Sequence, residues 1–124
     1  MTKLVNQVPV AVNLEAKVEA LLLATPGGLD PARALEAIGA GAAASWQLNN
    51  LGPKIIARDY RSGFLIKLLR KDLRLVSEAA RETGTPLPAL SFVSAFFDAA
   101  SAHGHALDGT QALAAVLRTL AAIN

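Results

Sequence analysis

The 124 residues, 52% apolar and 18% charged, make one domain's worth of polypeptide, enough to bury a core and too few for two full domains. No apolar run approaches the roughly 20 residues that a membrane helix requires, and the absence of cysteine excludes disulfides, thiolate catalysis and cysteine-ligated zinc. The formal net charge is only +2, yet seven of the twelve basic residues fall between Lys54 and Arg74, opposed there by Asp59 and Asp72 alone, a local surplus able to attract an anion.

Alanine and leucine dominate, and apolar residues recur at three- and four-residue steps, so helix is predicted throughout and no strand. The first helix is expected from about Thr2 to Ala24, with Val8, Val12, Ala16, Glu19 and Leu23 marking its turns and Thr25-Pro26-Gly27-Gly28 ending it. Pro9 should bend this helix or delay its start. Asp30 is placed as an N-cap ahead of Pro31, Leu35 and Ile38 form a short apolar face, and the second helix ends at Gly39 or Gly41. A third short helix fits Ala43 to Leu51, closed by Gly52-Pro53, and a further turn carries Ile55 and Ile56 toward the loop Asp59-Tyr60-Arg61-Ser62-Gly63.

From Phe64 to Thr83, Ile66, Leu69, Leu73, Val76 and Ala80 mark a core side, while Lys67, Arg70, Lys71 and Arg74 form a basic stripe on another face. A fifth helix is expected over about Pro88 to Ala102 with Phe92, Phe96 and Phe97 in the core, and a sixth from Asp108 through Ala112, Val116 and Leu120 to the end. Six helices on short connections make an all-α bundle with a long N-terminal helix.

Lys3, Asn6 and Gln7 stand at i, i+3 and i+4, so one helix face presents an ammonium beside two amides, a set able to hold a hydroxyl and a carboxylate or simply to be solvated. The basic stripe is equally a solvated face with support such as Arg74 to Glu78, or, with Phe64 two turns before Lys71, a seat for a small anion. Gly39-Ala40-Gly41-Ala42-Ala43-Ala44 spells a dinucleotide fingerprint, but Ala34 to Ile38 has the residues of a capped helix rather than the strand that fingerprint requires, and its glycines suit a tight turn. His103 and His105 flank Gly104 without a nearby carboxylate or cysteine partner and read as a helix-ending turn, so no metal site is expected. Ser45 beside Trp46 has no histidine partner in local sequence that would make it a nucleophile.

Lys3-Leu4-Val5-Asn6-Gln7 resembles the catalytic-lysine segment of the β-hydroxyacid dehydrogenases, among them 3-hydroxyisobutyrate dehydrogenase, tartronate semialdehyde reductase, glyoxylate reductase and, more distantly, 6-phosphogluconate dehydrogenase. The likeness continues through Glu19-Ala20-Leu21, Gly28-Leu29-Asp30-Pro31, Ala44-Ser45-Trp46, Gly52-Pro53, Asp59-Tyr60, Gly63-Phe64, Lys71-Asp72-Leu73, Gly84 with Pro86 and Pro88, and His103-Gly104, covering essentially the whole chain. The resemblance implies a fold like the C-terminal helical domain of 6-phosphogluconate dehydrogenase and an NAD- or NADP-dependent interconversion of a short 3-hydroxy acid with its semialdehyde. It implies that Lys3 is catalytic, that Asn6, Gln7, Phe64 and Asp72 bind substrate, and that Lys71 approaches the cofactor. It also implies a homodimer.

The family's Rossmann domain has no counterpart in these 124 residues, so this chain alone is expected to be inactive and to bind neither NAD nor NADP tightly. A Rossmann domain supplied in trans is one expected partner. The other reading is a helical interaction protein of that fold without enzyme activity, dimerising through an apolar face; a mean hydropathy of +0.37, high for a monomer, suits a partner surface in either case. No membrane partner is expected, and a nucleic-acid partner is disfavoured because the basic stripe is local and aromatics are only 5%. The opening residues carry neither an apolar h-region nor a cleavage site, and the expected location is cytoplasmic.

Overall fold

A computed structural model describes residues 1–61 and 63–123; Ser62, in the predicted loop, and Asn124, at the end of the predicted last helix, lie outside the described residues. Among those described there are six α-helices and no strand: α1 (Thr2–Ala24), α2 (Pro31–Gly39), α3 (Trp46–Ala57), α4 (Ile66–Thr83), α5 (Pro88–Ala100) and α6 (Leu113–Leu120). None is long and apolar enough to cross a membrane.

α1 packs against each of the other five helices. Its buried positions are Gln7, Ala11, Leu14, Glu15, Val18, Leu21 and Ala24, a stripe set one residue away from the predicted one; Ala16, Glu19 and Leu23 face solvent. The helix begins at Thr2 and runs through Pro9, so its start is not delayed. Proline removes one backbone donor, to the Val5 carbonyl, and burial of the stripe offsets that loss. Ala11, Leu14 and Val18 meet Leu69, Leu73 and Val76 of α4, Val93 and Phe97 of α5, and Leu113 and Val116 of α6 in one core.

Asp30 caps α2 by accepting from the Ala32 amide at 3.0 Å, with Pro31 next, as read from sequence. Ser45 caps α3 in the same way, accepting from the Leu48 amide at 3.0 Å, which gives that hydroxyl a structural role. α3 does not close at Gly52-Pro53 but continues to Ala57. The strain that proline imposes on its predecessor acts partly through the predecessor's Cβ, which Gly52 lacks. Gly52 is buried where a Cβ would lie 2.5 Å from Leu35 Cδ1, so the same glycine lets α2 approach α3.

α4 keeps the predicted pattern: Ile66, Leu69, Leu73 and Val76 are buried, and Lys67, Arg70, Lys71 and Arg74 are exposed. In α5 Phe97 is fully buried and Phe96 partly so, but Phe92, assigned to the core from sequence, is 66% exposed and stacks edge-on against Phe96. α5 ends at Ala100 rather than Ala102, in a π-helical turn over Ser101–His105 that Gly104 breaks with φ 93°. A short 3-10 turn, Thr110–Ala112, leads into α6.

Candidate functional site

Helical periodicity brings Lys3 and Gln7 to one side of the first turns of α1, and the core stripe of α4 turns Asp72 toward them. Asp72 is 5% exposed and Gln7 6%. A carboxylate so placed requires polar partners. The Gln7 amide donates to Asp72 Oδ2 at 2.8 Å, and Lys3 Nζ stands 3.7 Å from Asp72 Oδ1. Asn6 completes the row, its amide donating to Gln7 Oε1 at 3.4 Å.

The local sequence offers Lys3 two amides and no counter-ion, whereas the structure gives it a buried one. Its side chain is still 71% exposed, so the ammonium faces Asp72 on one side and is open to a ligand on the other. The cluster therefore offers a cation, an amide row and a fixed negative charge that orients both.

Phe64 and Lys71 do not join this cluster by any hydrogen bond or ion pair among the described residues. Phe64 lies just before α4, 39% exposed, its carbonyl accepting from the Thr110 amide at 2.9 Å. Lys71 is exposed on the flank of α4 that faces α5. On the same stripe the ion pair is Arg70 with Asp98, at 2.9 Å, rather than Arg74 with Glu78. His105 does meet a carboxylate, Nδ1 lying 2.7 Å from Asp108 Oδ2; the described residues hold no group of three or more metal-ligating side chains.

The loop carrying Asp59 and Tyr60 is anchored by residues that sequence reading passed over. The buried Gln111 amide donates to the Asp59 carbonyl at 3.1 Å and the Arg61 carbonyl at 3.3 Å, and Arg118 bonds both the Tyr60 hydroxyl and, at 2.7 Å, the Ile55 carbonyl. An amide directly before the apolar run that starts at Ala112 was the available signal. Asp59 is held below the usual carboxylate range chiefly by its hydrogen bond from the Arg61 side chain. Glu15 on α1 is pushed up to about 7, first by burial and then by the hydrogen bond with and charge of Glu19.

The sequence profile described as NAD-binding of NADP-dependent 3-hydroxyisobutyrate dehydrogenase matches residues 1–117. The chain belongs to the 3-hydroxyisobutyrate dehydrogenase family. An uncharacterized oxidoreductase of Synechocystis sp. is 41% identical over 111 residues, covering 90% of this chain and 38% of that protein. The 2-hydroxy-3-oxopropionate reductase of Escherichia coli is 36% identical over 119 residues, 96% of this chain and 41% of that one. The crystal structure of a 3-hydroxyisobutyrate dehydrogenase from Salmonella typhimurium superposes with a TM-score of 0.87 at 26% identity, covering 93% of this chain and 40% of that chain. The chain thus spans about two fifths of the length of these family members.

Proposed function

We propose that this chain is the substrate-binding and dimerisation part of an NAD(P)-dependent 3-hydroxyacid dehydrogenase acting on a small acid of the 3-hydroxyisobutyrate or tartronate semialdehyde type. The observation that carries the reading is the convergence of Lys3, Gln7 and Asn6 on the buried Asp72 carboxylate. Nicotinamide would supply or accept the hydride. The Lys3, Asn6, Gln7 and Asp72 cluster suits the substrate end of that reaction, and Gly39-Ala40-Gly41 is no pyrophosphate cradle, because it ends helix α2, whereas a pyrophosphate-binding glycine turn follows a buried strand.

In the reducing direction, Lys3 donates a proton to the carbonyl oxygen as hydride reaches the carbon, and in reverse it takes that proton back from the hydroxyl. Asp72 is a positioning residue: it holds the Gln7 amide and attracts the lysine ammonium itself, which narrows the arc that the exposed side chain samples. Gln7 and Asn6 hold the substrate's polar groups. Phe64 shapes the pocket wall, and Lys71 contributes positive charge toward the cofactor.

The chain alone is expected to show no nicotinamide-dependent oxidation of 3-hydroxy acids such as 3-hydroxyisobutyrate or glycerate, measured by absorbance of the reduced cofactor, because the cradle for the pyrophosphate is not among its residues. NMR titration with 3-hydroxyisobutyrate should shift the Gln7 side-chain amide, and Lys3→Ala should weaken that binding about tenfold, as expected for losing a charge-assisted bond. Unchanged binding in Lys3→Ala, or turnover by the isolated chain that Lys3→Ala abolishes, would refute these assignments.

A further inference from the structure

At the end of the bundle away from Lys3, the last turns of α1, α3 and α6 close around a cavity of about 220 Å³. Leu21, in its wall, lies about 20 Å along α1 from Gln7. Leu22, Ile56 and Ile123 add apolar surface, and Arg58 and Arg118 bring two guanidinium side chains to the same space. No carboxylate lines it among the described residues. The volume falls below the roughly 300 to 1,000 Å³ of drug-sized sites, so it suits a molecule of a few carbons.

Arginines at a surface are usually only solvated, and what separates this pair is Arg118. It is half-buried, and its hydrogen bonds go to neutral oxygens, the Tyr60 hydroxyl and, at 2.7 Å, the Ile55 carbonyl. Asp72, a charge likewise drawn inside, has the Lys3 ammonium, whereas Arg118 has no ion pair among the described residues. A charge taken from water is costly without a counter-ion. Capping does not account for it either. The Ile55 carbonyl already accepts the Arg58 backbone amide at 3.2 Å, and the Lys54 carbonyl accepts that of Asp59 at 2.9 Å. At the ends of α1 and α6 the Ala24 and Arg118 carbonyls accept the Leu29 and Ile123 amides at 2.8 and 2.9 Å. Backbone donors thus meet the helix ends around the cavity, and the remaining N–H groups of Arg118 stay unspent.

We infer that this cavity binds a free, short-chain aliphatic monocarboxylate, its carboxylate between Arg58 and Arg118 and its alkyl chain along Leu21, Leu22 and Ile56. The two arginines converge on one atom, since the Arg58 amide and the Arg118 guanidinium share the Ile55 carbonyl. A guanidinium presents a planar fork that matches the two oxygens of a carboxylate. Apolar walls beside two cations favour a singly charged head with a hydrocarbon tail over a more highly charged, strongly hydrated anion.

The inference is independent of the dehydrogenase reading, because the cavity lies at the opposite end of α1 from Lys3 and its ligand needs no hydroxyl. Its test is NMR titration of the 124-residue chain with hexanoate at constant ionic strength. Hexanoate should shift the backbone amides of Leu22, Ile56 and Ile123 saturably and leave the Gln7 side-chain amide unmoved. Butyrate should bind about tenfold more weakly for want of two buried methylenes, and the uncharged hexanamide should not bind. Arg58 has φ 55° and ψ 34°, the left-handed region where glycine is least strained, so Arg58→Gly keeps the fold while removing one cation and should weaken hexanoate about tenfold. Arg118→Gln should abolish binding; if circular dichroism shows that variant unfolded, Arg58→Gly alone decides. A short peptide ending in a leucine carboxylate distinguishes the source of the head group. Binding no tighter than hexanoate leaves the free acid as the ligand, and tighter binding makes it a chain terminus and overturns the assignment. Hexanamide binding as well as hexanoate, equal shifts with sodium chloride, or an affinity unchanged in Arg58→Gly would each overturn it too.

Discussion

Glu15 and Asp72 are two buried carboxyl groups that the fold treats in opposite ways. Asp72 has an amide and an ammonium on its two oxygens. Glu15 faces a second carboxylate, Glu19, and its Oε1 has no hydrogen-bond partner. The linkage follows from the direction of its shift. With an ordinary value of 4.5 and a folded value of about 7, the folded chain holds a proton that the unfolded chain has released between those pH values. Stability is therefore lost as pH rises through that window and stays lower above it. Glu15→Gln removes the charge while keeping the shape, so it should be nearly neutral at pH 4.5 and should stabilise by on the order of 2 kcal/mol at pH 8. Thermal unfolding of both proteins at the two pH values checks this; an equal difference in melting temperature at both would contradict it.

Among the elements, α4 was the most legible, because its apolar residues keep one spacing for four turns and its charges keep another. The register of α1 was harder to read, since a helix in contact with five neighbours is apolar on several sides and no single stripe stands out. Phe92 misled because an aromatic on α5 can shelter against Phe96 at the surface instead of entering the core. In the candidate site the residue types at 3, 6 and 7 were readable from their spacing. The partner that organises them, Asp72, lies 65 residues from Gln7, beyond any local periodicity.

α3 shows how one small residue overrides a local rule. Gly52 serves both Pro53, as a predecessor without Cβ, and Leu35, as the open space against which that side chain packs. Gly52→Ala gains about 1 kcal/mol of helix propensity. It must also displace Leu35, whose Cδ1 and Cδ2 would lie 2.5 and 3.1 Å from the new Cβ, and it restores the clash with proline. The net effect expected from urea unfolding is a loss of about 1 to 2 kcal/mol. In a Leu35→Ala background the same substitution should cost less, and the absence of coupling between the two positions would show that α2 and α3 do not meet as described.

At the scale of the whole molecule the unbalanced quantity is apolar surface. Trp46 is 70% exposed, Leu23 71%, Leu29 61% and Leu107 71%. An apolar cleft of about 550 Å³ also opens between the first turns of α1, at Met1, Leu4, Val5 and Val8, and Val76 and Ala80 of α4. Exposed apolar area of this extent suits an association surface. Family members with about two and a half times this length have further polypeptide with which to cover such a surface, and the 124 residues taken by themselves are expected to cover it with another copy. Light scattering at micromolar concentration should therefore give a mass above the 12.9 kDa of one chain, rising with concentration. Association through apolar contacts should persist in high salt, where the attraction between surface charges is screened. A strictly monomeric mass would mean that these side chains are individually solvated and that the dimerisation part of the proposed function is wrong.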